Sequence, residues 1–258
     1  MTLAHPTTAI QNAIHRIQSA NYLVVLSGAG LSTASGIPDF RSQDTGVWNK
    51  FNPLEVASLT AFRYHPQKFF DWLIPLYERI LNARPNPAHV YLARLESAGR
   101  LKAIITQNID RLHNLGGSQN VIEVHGSLST MSCPHCKQKF SAQLFHELLL
   151  SRRMLPHCSS CGVILKPDIT LFEEELPEPA WRAAVHHTEA CDVFWVIGSS
   201  LEVYPAASLP RLARDSGANI IINNFSPTPF DHFADILLPF DITETVPYIV
   251  ESILGKPE

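Results

Sequence analysis

The run Tyr22-Leu23-Val24-Val25-Leu26, followed at once by Ser27-Gly28-Ala29-Gly30-Leu31-Ser32-Thr33, decides how the rest of the chain is read. A short, near-continuously apolar run predicts a strand buried on both faces, as a parallel sheet requires. The two glycines behind it permit a tight turn in which a pyrophosphate approaches backbone N–H groups. Taken alone, the G-A-G fits a nucleotide turn and a plain loop equally well. Thr33 stands where a dehydrogenase fingerprint has its third glycine, and no strand ending in an acid follows about 20 residues on. The departure points to a dinucleotide used for something other than hydride transfer.

Runs of the same kind recur at 101–106, 121–124, 193–197 and 219–223, with a weaker one at 235–238. Helical patterns lie among them at 8–20, 89–98, 180–190 and 206–216. Strands alternating with helices predict an α/β fold with a doubly wound, mostly parallel sheet of Rossmann type. Two stretches break the rhythm. Residues 43–85 are aromatic and helical in character, with Phe51, Phe62, Phe69, Phe70, Trp72 and Tyr77, and read as a helical cap over the ligand edge of the sheet. Pro75 is expected to kink or split the longer cap helix. Residues 127–171 carry four of the five cysteines. The expected division is therefore 1–42, 87–126 and 172–258 for the Rossmann-type domain, 43–86 for the cap and 127–171 for a small zinc-ribbon module.

Cys133, Cys136, Cys158 and Cys161 form two C-x2-C pairs separated by 21 residues. Each pair places two thiolates on one knuckle, and two knuckles complete a tetrahedral zinc shell. Four thiolates leave no open position for a reacting water, so the expected zinc is structural and its binding energy acts as folding energy. His135 and His157 adjoin the ligands and are read as exposed knuckle residues. Cys191 is read as a small buried apolar residue. With 45% hydrophobic and 17% charged residues the chain is of globular composition. A net charge of −4 gives no reason to expect a nucleic-acid partner. No leader pattern and no membrane-length apolar run is visible, so the cytoplasm is the expected location.

Gly28-Ala29-Gly30-Leu31-Ser32, Gly36-Ile37-Pro38-Asp39-Phe40-Arg41, Thr106-Gln107-Asn108-Ile109-Asp110, His125-Gly126, the four cysteines, and Gly198-Ser199-Ser200-Leu201 with Val203 and Pro205 occur in this order. Together they resemble the sirtuins, NAD-dependent protein deacylases, and the undecorated length is similar to compact prokaryotic members. The resemblance implies that NAD and an acyl-lysine enter one cleft from opposite sides and that NAD is consumed as a co-substrate. It brings Gly28, Ala29 and Gly30 to the pyrophosphate, which Arg41 helps fix, gives Phe40 the shielding of the reacting sugar, and counts Ser32 and Asp39 among the cofactor-binding residues. Ser199 and Ser200 fall on the phosphate and adenosine side, Asn223 at the adenine-side ribose, and Gly198 and Ile242 are further cofactor-binding residues. Ile37, Ile109 and Asp110 match the nicotinamide pocket, and Gln107 and Asn108 the nicotinamide ribose, with Asn108 also positioning water. Thr170, Phe172, Glu173, Glu174 and Val203 match the acyl-lysine peptide site.

Considered alone, His125 is one of 12 histidines. The resemblance makes it the catalytic base, a task that suits imidazole because its ordinary pKa lies near working pH. In the implied reaction the acyl oxygen attacks the anomeric carbon as nicotinamide departs. His125 then deprotonates the ribose, and water releases lysine and O-acyl-ADP-ribose. Two departures stand out. Glu173 occupies the usual glycine of Phe-Gly-Glu; it is expected to pair through its own backbone and, with its acidic neighbours, to favour peptides with Lys or Arg beside the target. Leu73 and Leu76 stand nearest to the Tyr and Arg that desuccinylating sirtuins carry, so acetyl or longer aliphatic groups are expected over succinyl. Alternative readings are transfer of ADP-ribose to a protein, NAD hydrolysis, and an acyl-lysine or NAD binding module.

Overall fold

A computed structural model of the chain describes residues 7–40 and 46–256. In chain order, the helices are α1 (Thr8–Ser19), α2 (Pro53–Val56), α3 (Leu59–Tyr64), α4 (Pro66–Asn82), α5 (Pro87–Ser97), α6 (Leu112–Leu115), α7 (Glu178–Ala190), α8 (Leu209–Asp215) and α9 (Ile242–Leu254). The strands are β1 (Leu23–Ser27), β2 (Leu101–Thr106), β3 (Val121–Glu123), β4 (Gly126–Ser132), β5 (Lys139–Ser141), β6 (Lys166–Ile169), β7 (Val193–Ile197), β8 (Asn219–Asn223) and β9 (Ile236–Leu238).

Six strands form one parallel sheet in the order β3-β2-β1-β7-β8-β9. The central strands β1 and β7 are buried at every residue, which explains their unbroken apolar sequence. One face is covered by α1, α5 and α9, whose Ile10, Leu92 and Val246 share a cluster with Val25 and Trp195. The opposite face packs Val24, Phe194 and Ile220 against Ala184 of α7 and Ala213 of α8. The strand order reverses direction between β1 and β7. That switch point opens a crevice beyond the carboxyl ends of the strands, where α/β sheets bind ligands.

A second, antiparallel sheet has the order β5-β4-β6 and carries the cysteine knuckles at its end. Its Leu128, Met131 and Leu165 belong to one hydrophobic cluster with Phe69, Phe70, Trp72 and Leu76 of α4. Cap and cysteine module thus share a core. Pro75 does not split α4, which runs unbroken from Pro66 to Asn82. Heavy burial along the helix, from Phe69 to Ile80, compensates the hydrogen bond that proline cannot make.

Candidate active site

Local sequence brings the loops of the switch point together backbone to backbone. Ser27 ends β1 and Ile197 ends β7 in register with it. Gly28 then donates to Ile197 O at 3.1 Å and Gly30 to Gly198 O at 2.9 Å. A Cβ on Gly28 would lie 2.7 Å from Gly198 O, and one on Gly198, whose φ is +63°, 2.4 Å from Leu31 N. The glycines are therefore required for the approach of two loops, and two of the N–H groups expected at a pyrophosphate are bonded within the protein. The remaining surface of these loops, with Ala29, Asp39, Ser199 and Ser200, lines a cleft of about 1070 Å³.

A narrower apolar cavity of about 260 Å³ lies on the other side. Ile37, Trp48, Trp72, Leu76, Ile80 and Phe172 form its walls, and Ser32, Ile109 and Asp110 line it as well. Phe40, Trp48, Gln107, Asn108, His125 and Val203 line both spaces. Phe40 and Trp48 stack at 5.1 Å between centroids, making an aromatic partition.

His125 follows β3 and is held from both sides of its backbone. Thr170 donates to its carbonyl at 2.8 Å, and Gly126 allows close pairing with Asp168, where a Cβ would sit 2.1 Å from a carbonyl oxygen. The imidazole Nδ1 lies 2.9 Å from Gln107 O. A carbonyl only accepts, so Nδ1 carries the proton and Nε2 presents a bare lone pair. Burial lowers the His125 pKa below its ordinary value, against an opposing hydrogen bond to Gln107, and keeps that lone pair free at neutral pH. Gln107 donates its side-chain amide to Ser199 Oγ at 2.9 Å, linking the base to the β7 loop.

Asn108 donates through Nδ2 to Gly28 O and to Ser32 Oγ, each at 3.1 Å. Ser32 Oγ donates in turn to Asp110 at 2.7 Å, and Leu112 N–H to the second Asp110 oxygen at 2.9 Å. Burial raises the Asp110 pKa, which these hydrogen bonds oppose.

Some sequence-assigned residues lie elsewhere. Asn223 is fully buried and spends its amide on Leu238 O and Phe240 O, at 2.7 and 3.1 Å; its neighbour Asn224 lines the large cleft instead. Ile242 is buried at the start of α9 in the sheet core and is absent from both linings. Arg41 lies outside the described residues. Thr170, Glu174 and Val203 line the apolar cavity. Sequence reading missed Trp48, Ile80 and Phe225, because an aromatic or aliphatic residue in a cap or loop gives no local sign of which cavity it borders.

Glu173 differs most from expectation. Its φ is +74°, in the left-handed region, so it turns the chain rather than continuing a strand. Phe172 makes the pairing instead, donating to Ala57 O at 3.1 Å and accepting from Leu59 N–H at 3.0 Å. The Glu173 carboxylate accepts from Thr60 N–H at 2.9 Å in the first turn of α3, and hydrogen bonds from the Thr60 hydroxyl and then this N–H lower its pKa. Glu174 pairs with Lys166 at 2.8 Å. Both charges are thus engaged within the protein, which weakens the expected attraction for basic peptides. Glu173→Ala is expected to lose the acceptor and keep the strain, and so to unfold at a lower urea midpoint than the parent. Glu173→Gly also relieves the strain and is expected to unfold at a midpoint close to the parent's. Urea denaturation of the two variants checks this; equal losses would contradict the strain.

The four cysteine sulfurs lie within 4.8 Å of one another. Cys133 to Cys161 is 3.4 Å and Cys136 to Cys158 is 3.6 Å. These separations are far too long for disulfides and near the roughly 3.8 Å edge of a zinc–thiolate tetrahedron. The donor set therefore fits one zinc ion. His135 and His157 are exposed; His157 Nδ1 lies 2.8 Å from Gly162 O. Cys191 is buried, with its thiol pKa pushed up to about 12 by desolvation.

A parallel sheet with a nucleotide-type switch point, a histidine between two cavities and a four-thiolate module define an α/β enzyme of the dinucleotide-using class. The Sir2 family model matches residues 28–205, and the chain belongs to that family. It is 40% identical to NAD-dependent protein deacylase 2 of Archaeoglobus fulgidus, over 95% of this chain and 96% of that one. It is 39% identical to NAD-dependent protein deacetylase 1 of Pyrobaculum aerophilum, over 99% of each. Among solved structures, a Sir2 complex with deacetylated p53 peptide and 3'-O-acetyl ADP ribose superposes with a TM-score of 0.90 at 36% identity, covering 99% of both chains. No helix among the described residues is long and apolar enough to cross a membrane.

Proposed function

We propose that this protein is an NAD-dependent protein-lysine deacylase, yielding deacylated lysine, nicotinamide and O-acyl-ADP-ribose. The observation that carries the reading is the meeting of a large polar cleft and a narrow apolar cavity at Gln107, Asn108 and His125. The large cleft suits the ADP-ribose part of a dinucleotide, and the narrow cavity an acylated side chain together with the nicotinamide end that Ile37, Ile109 and Asp110 face. Bound NAD supplies an electrophilic sugar carbon with nicotinamide as its leaving group. His125 takes a ribose hydroxyl proton at Nε2, while Gln107 holds the tautomer that makes this possible. Asn108, anchored to Gly28 and Ser32, orients the ribose and water. Asp110 accepts from the nicotinamide carboxamide, Phe40 and Trp48 exclude water, and Phe172 and Val203 flank the lysine stem. Cys133, Cys136, Cys158 and Cys161 hold zinc, whose filled shell gives it a structural task.

The sequence-based division at 1–42, 87–126 and 172–258, with 43–86 and 127–171 inserted, is kept, the two insertions forming one lobe through their common core. The partners are acylated lysines of protein substrates. A net charge of −4 supports a reading without nucleic acid, and the lack of a membrane-length helix among the described residues is in keeping with a cytoplasmic location.

Mass spectrometry after incubation with NAD and an acetyl-lysine peptide tests the function. Equal amounts of free-lysine peptide, nicotinamide and O-acetyl-ADP-ribose are expected. Nicotinamide without peptide turnover would move the assignment to NAD hydrolysis or ADP-ribosyl transfer.

Acyl choice follows from the walls of the narrow cavity. Leu76 borders it, whereas Leu73 is buried in the core beside it. Among the described residues, no Lys or Arg lines it. A succinyl carboxylate would be buried unpaired, so kcat/KM for succinyl-lysine is expected to fall about 100-fold or more below that for acetyl-lysine. Comparable turnover of the two peptides would refute this.

A further inference from the structure

Behind the catalytic loop lie two fully enclosed histidines that border neither cavity, His89 and His113, with 0% and 1% exposure. Hydrogen bonds fix the proton on each ring. Asn86 N–H donates to His89 Nδ1 at 3.3 Å, so Nδ1 is bare and Nε2 carries the proton. At the other end, Ser27 Oγ donates its single proton to Thr106 Oγ1 at 2.8 Å. Its contact with His113 Nε2, also 2.8 Å, must then be donated by the imidazole, which leaves His113 Nδ1 bare.

The two remaining ring nitrogens, His89 Nε2 and His113 Nδ1, are buried with no partner among the described residues. One is a donor and the other an acceptor. The rings meet edge to face with centroids 5.0 Å apart, so a small ring rotation or one bridging water is what closes the link between them. Buried polar atoms left unsatisfied would cost about 1–3 kcal/mol each, and each of these is what the other lacks.

We propose that His89 and His113 complete a one-way hydrogen-bond chain running Asn86 to His89 to His113 to Ser27 to Thr106, and that this chain makes both histidines positioning residues for Asn108. The far end of the chain is the reason. Thr106 Oγ1 also accepts Asn108 N–H at 3.1 Å, so its orientation sets the backbone from which the Asn108 side chain reaches Gly28 and Ser32. At the near end, Asn86 gives its amide to Leu31 O at 2.7 Å and Ser35 Oγ at 3.1 Å, holding the glycine loop that faces Asn108. The chain thus ties together the two segments between which the ribose sits, a consequence that rests on the deacylase reading. Its direction requires both rings neutral. Burial lowers the His89 pKa to about 4 and that of His113 well below its ordinary value.

Histidine side-chain 15N NMR of the zinc-loaded protein tests the chain without any turnover. His89 and His113, identified by their loss in single variants, are expected as Nε2–H tautomers unchanged between pH 8 and 5.5. An Nδ1–H tautomer at either, or titration near 6.5, would overturn the proposal. Kinetics test the positioning role. His113→Leu, which removes the polar ring without opening a large cavity but strands His89 Nε2–H, is expected to lower Tm by roughly 2–12 °C and to keep its NAD KM within about two-fold while kcat falls about 10-fold. His113→Gln, which retains a donor toward Ser27, is expected to recover most of that loss. Full kcat in folded His113→Leu would overturn the role; should that variant not fold, the same comparison falls to His89→Gln and His89→Leu. Absence of deacylation by the parent protein would defeat the functional reading, and the tautomer result would still decide the chain.

Discussion

His125→Ala is expected to lower kcat/KM for an acetyl-lysine peptide by about 10²–10⁴-fold, with the melting temperature nearly unchanged. The imidazole is held by a hydrogen bond to Gln107 O and faces both cavities, so its removal touches proton transfer far more than folding. The pH dependence has a definite sign. Catalysis needs the unprotonated Nε2, and burial lowers the His125 pKa from the ordinary 6.5. Activity limited by this group is full above pH 6.5 and is lost as pH falls through the lower folded value. A pH–rate profile of kcat/KM checks this. An acid limb centred above 6.5, or an Ala variant within 10-fold of the parent, would remove His125 from the role of base.

Loss of the metal is expected to have the second large effect. Zinc analysis should give one ion per chain, and Cys158→Ala or prolonged chelation should unfold the cysteine module. Zinc–thiolate binding contributes on the order of 10 kcal/mol of folding energy to small modules. The damage is expected to spread, because Leu128, Met131 and Leu165 share their core with Phe69, Trp72 and Leu76 of the cap. Even about 3 kcal/mol transmitted through that core would lower Tm by roughly 6–12 °C in a chain of this size. Differential scanning calorimetry with and without chelator, with metal release followed in parallel, measures it. A metal-free protein with the parent Tm and intact tryptophan near-UV dichroism would contradict the structural assignment.

The sheet was legible because its strands announce themselves: the runs at 101–106, 193–197 and 219–223 coincide with β2, β7 and β8, each buried and therefore apolar throughout most of its length. The cysteine knuckles were legible because two sulfurs on one tight turn demand fixed spacing. His125 was not legible from local sequence, since one histidine after a strand resembles any other; only its company of motifs marked it. The turn at Glu173 escaped because nothing in an acidic triplet signals a left-handed residue, and the helix that captures its carboxylate lies over 100 positions away. Asn223 was misplaced for a related reason. A polar residue at the end of a strand can face the crevice or bond a neighbouring strand, and only the register with β9 decides between them.

Phe40, Trp48, Gln107, Asn108, His125 and Val203 serve both cavities at once. A partition shared in this way leaves the two reactants without separate walls to adjust. Any substitution in it that widens one chamber reshapes the other, so affinity for dinucleotide and affinity for peptide should drift together under mutation. Natural or laboratory change of acyl preference is then channelled to Leu76 and Ile80, which border the narrow chamber alone, whereas Trp72 stacks on Trp48 of the partition itself.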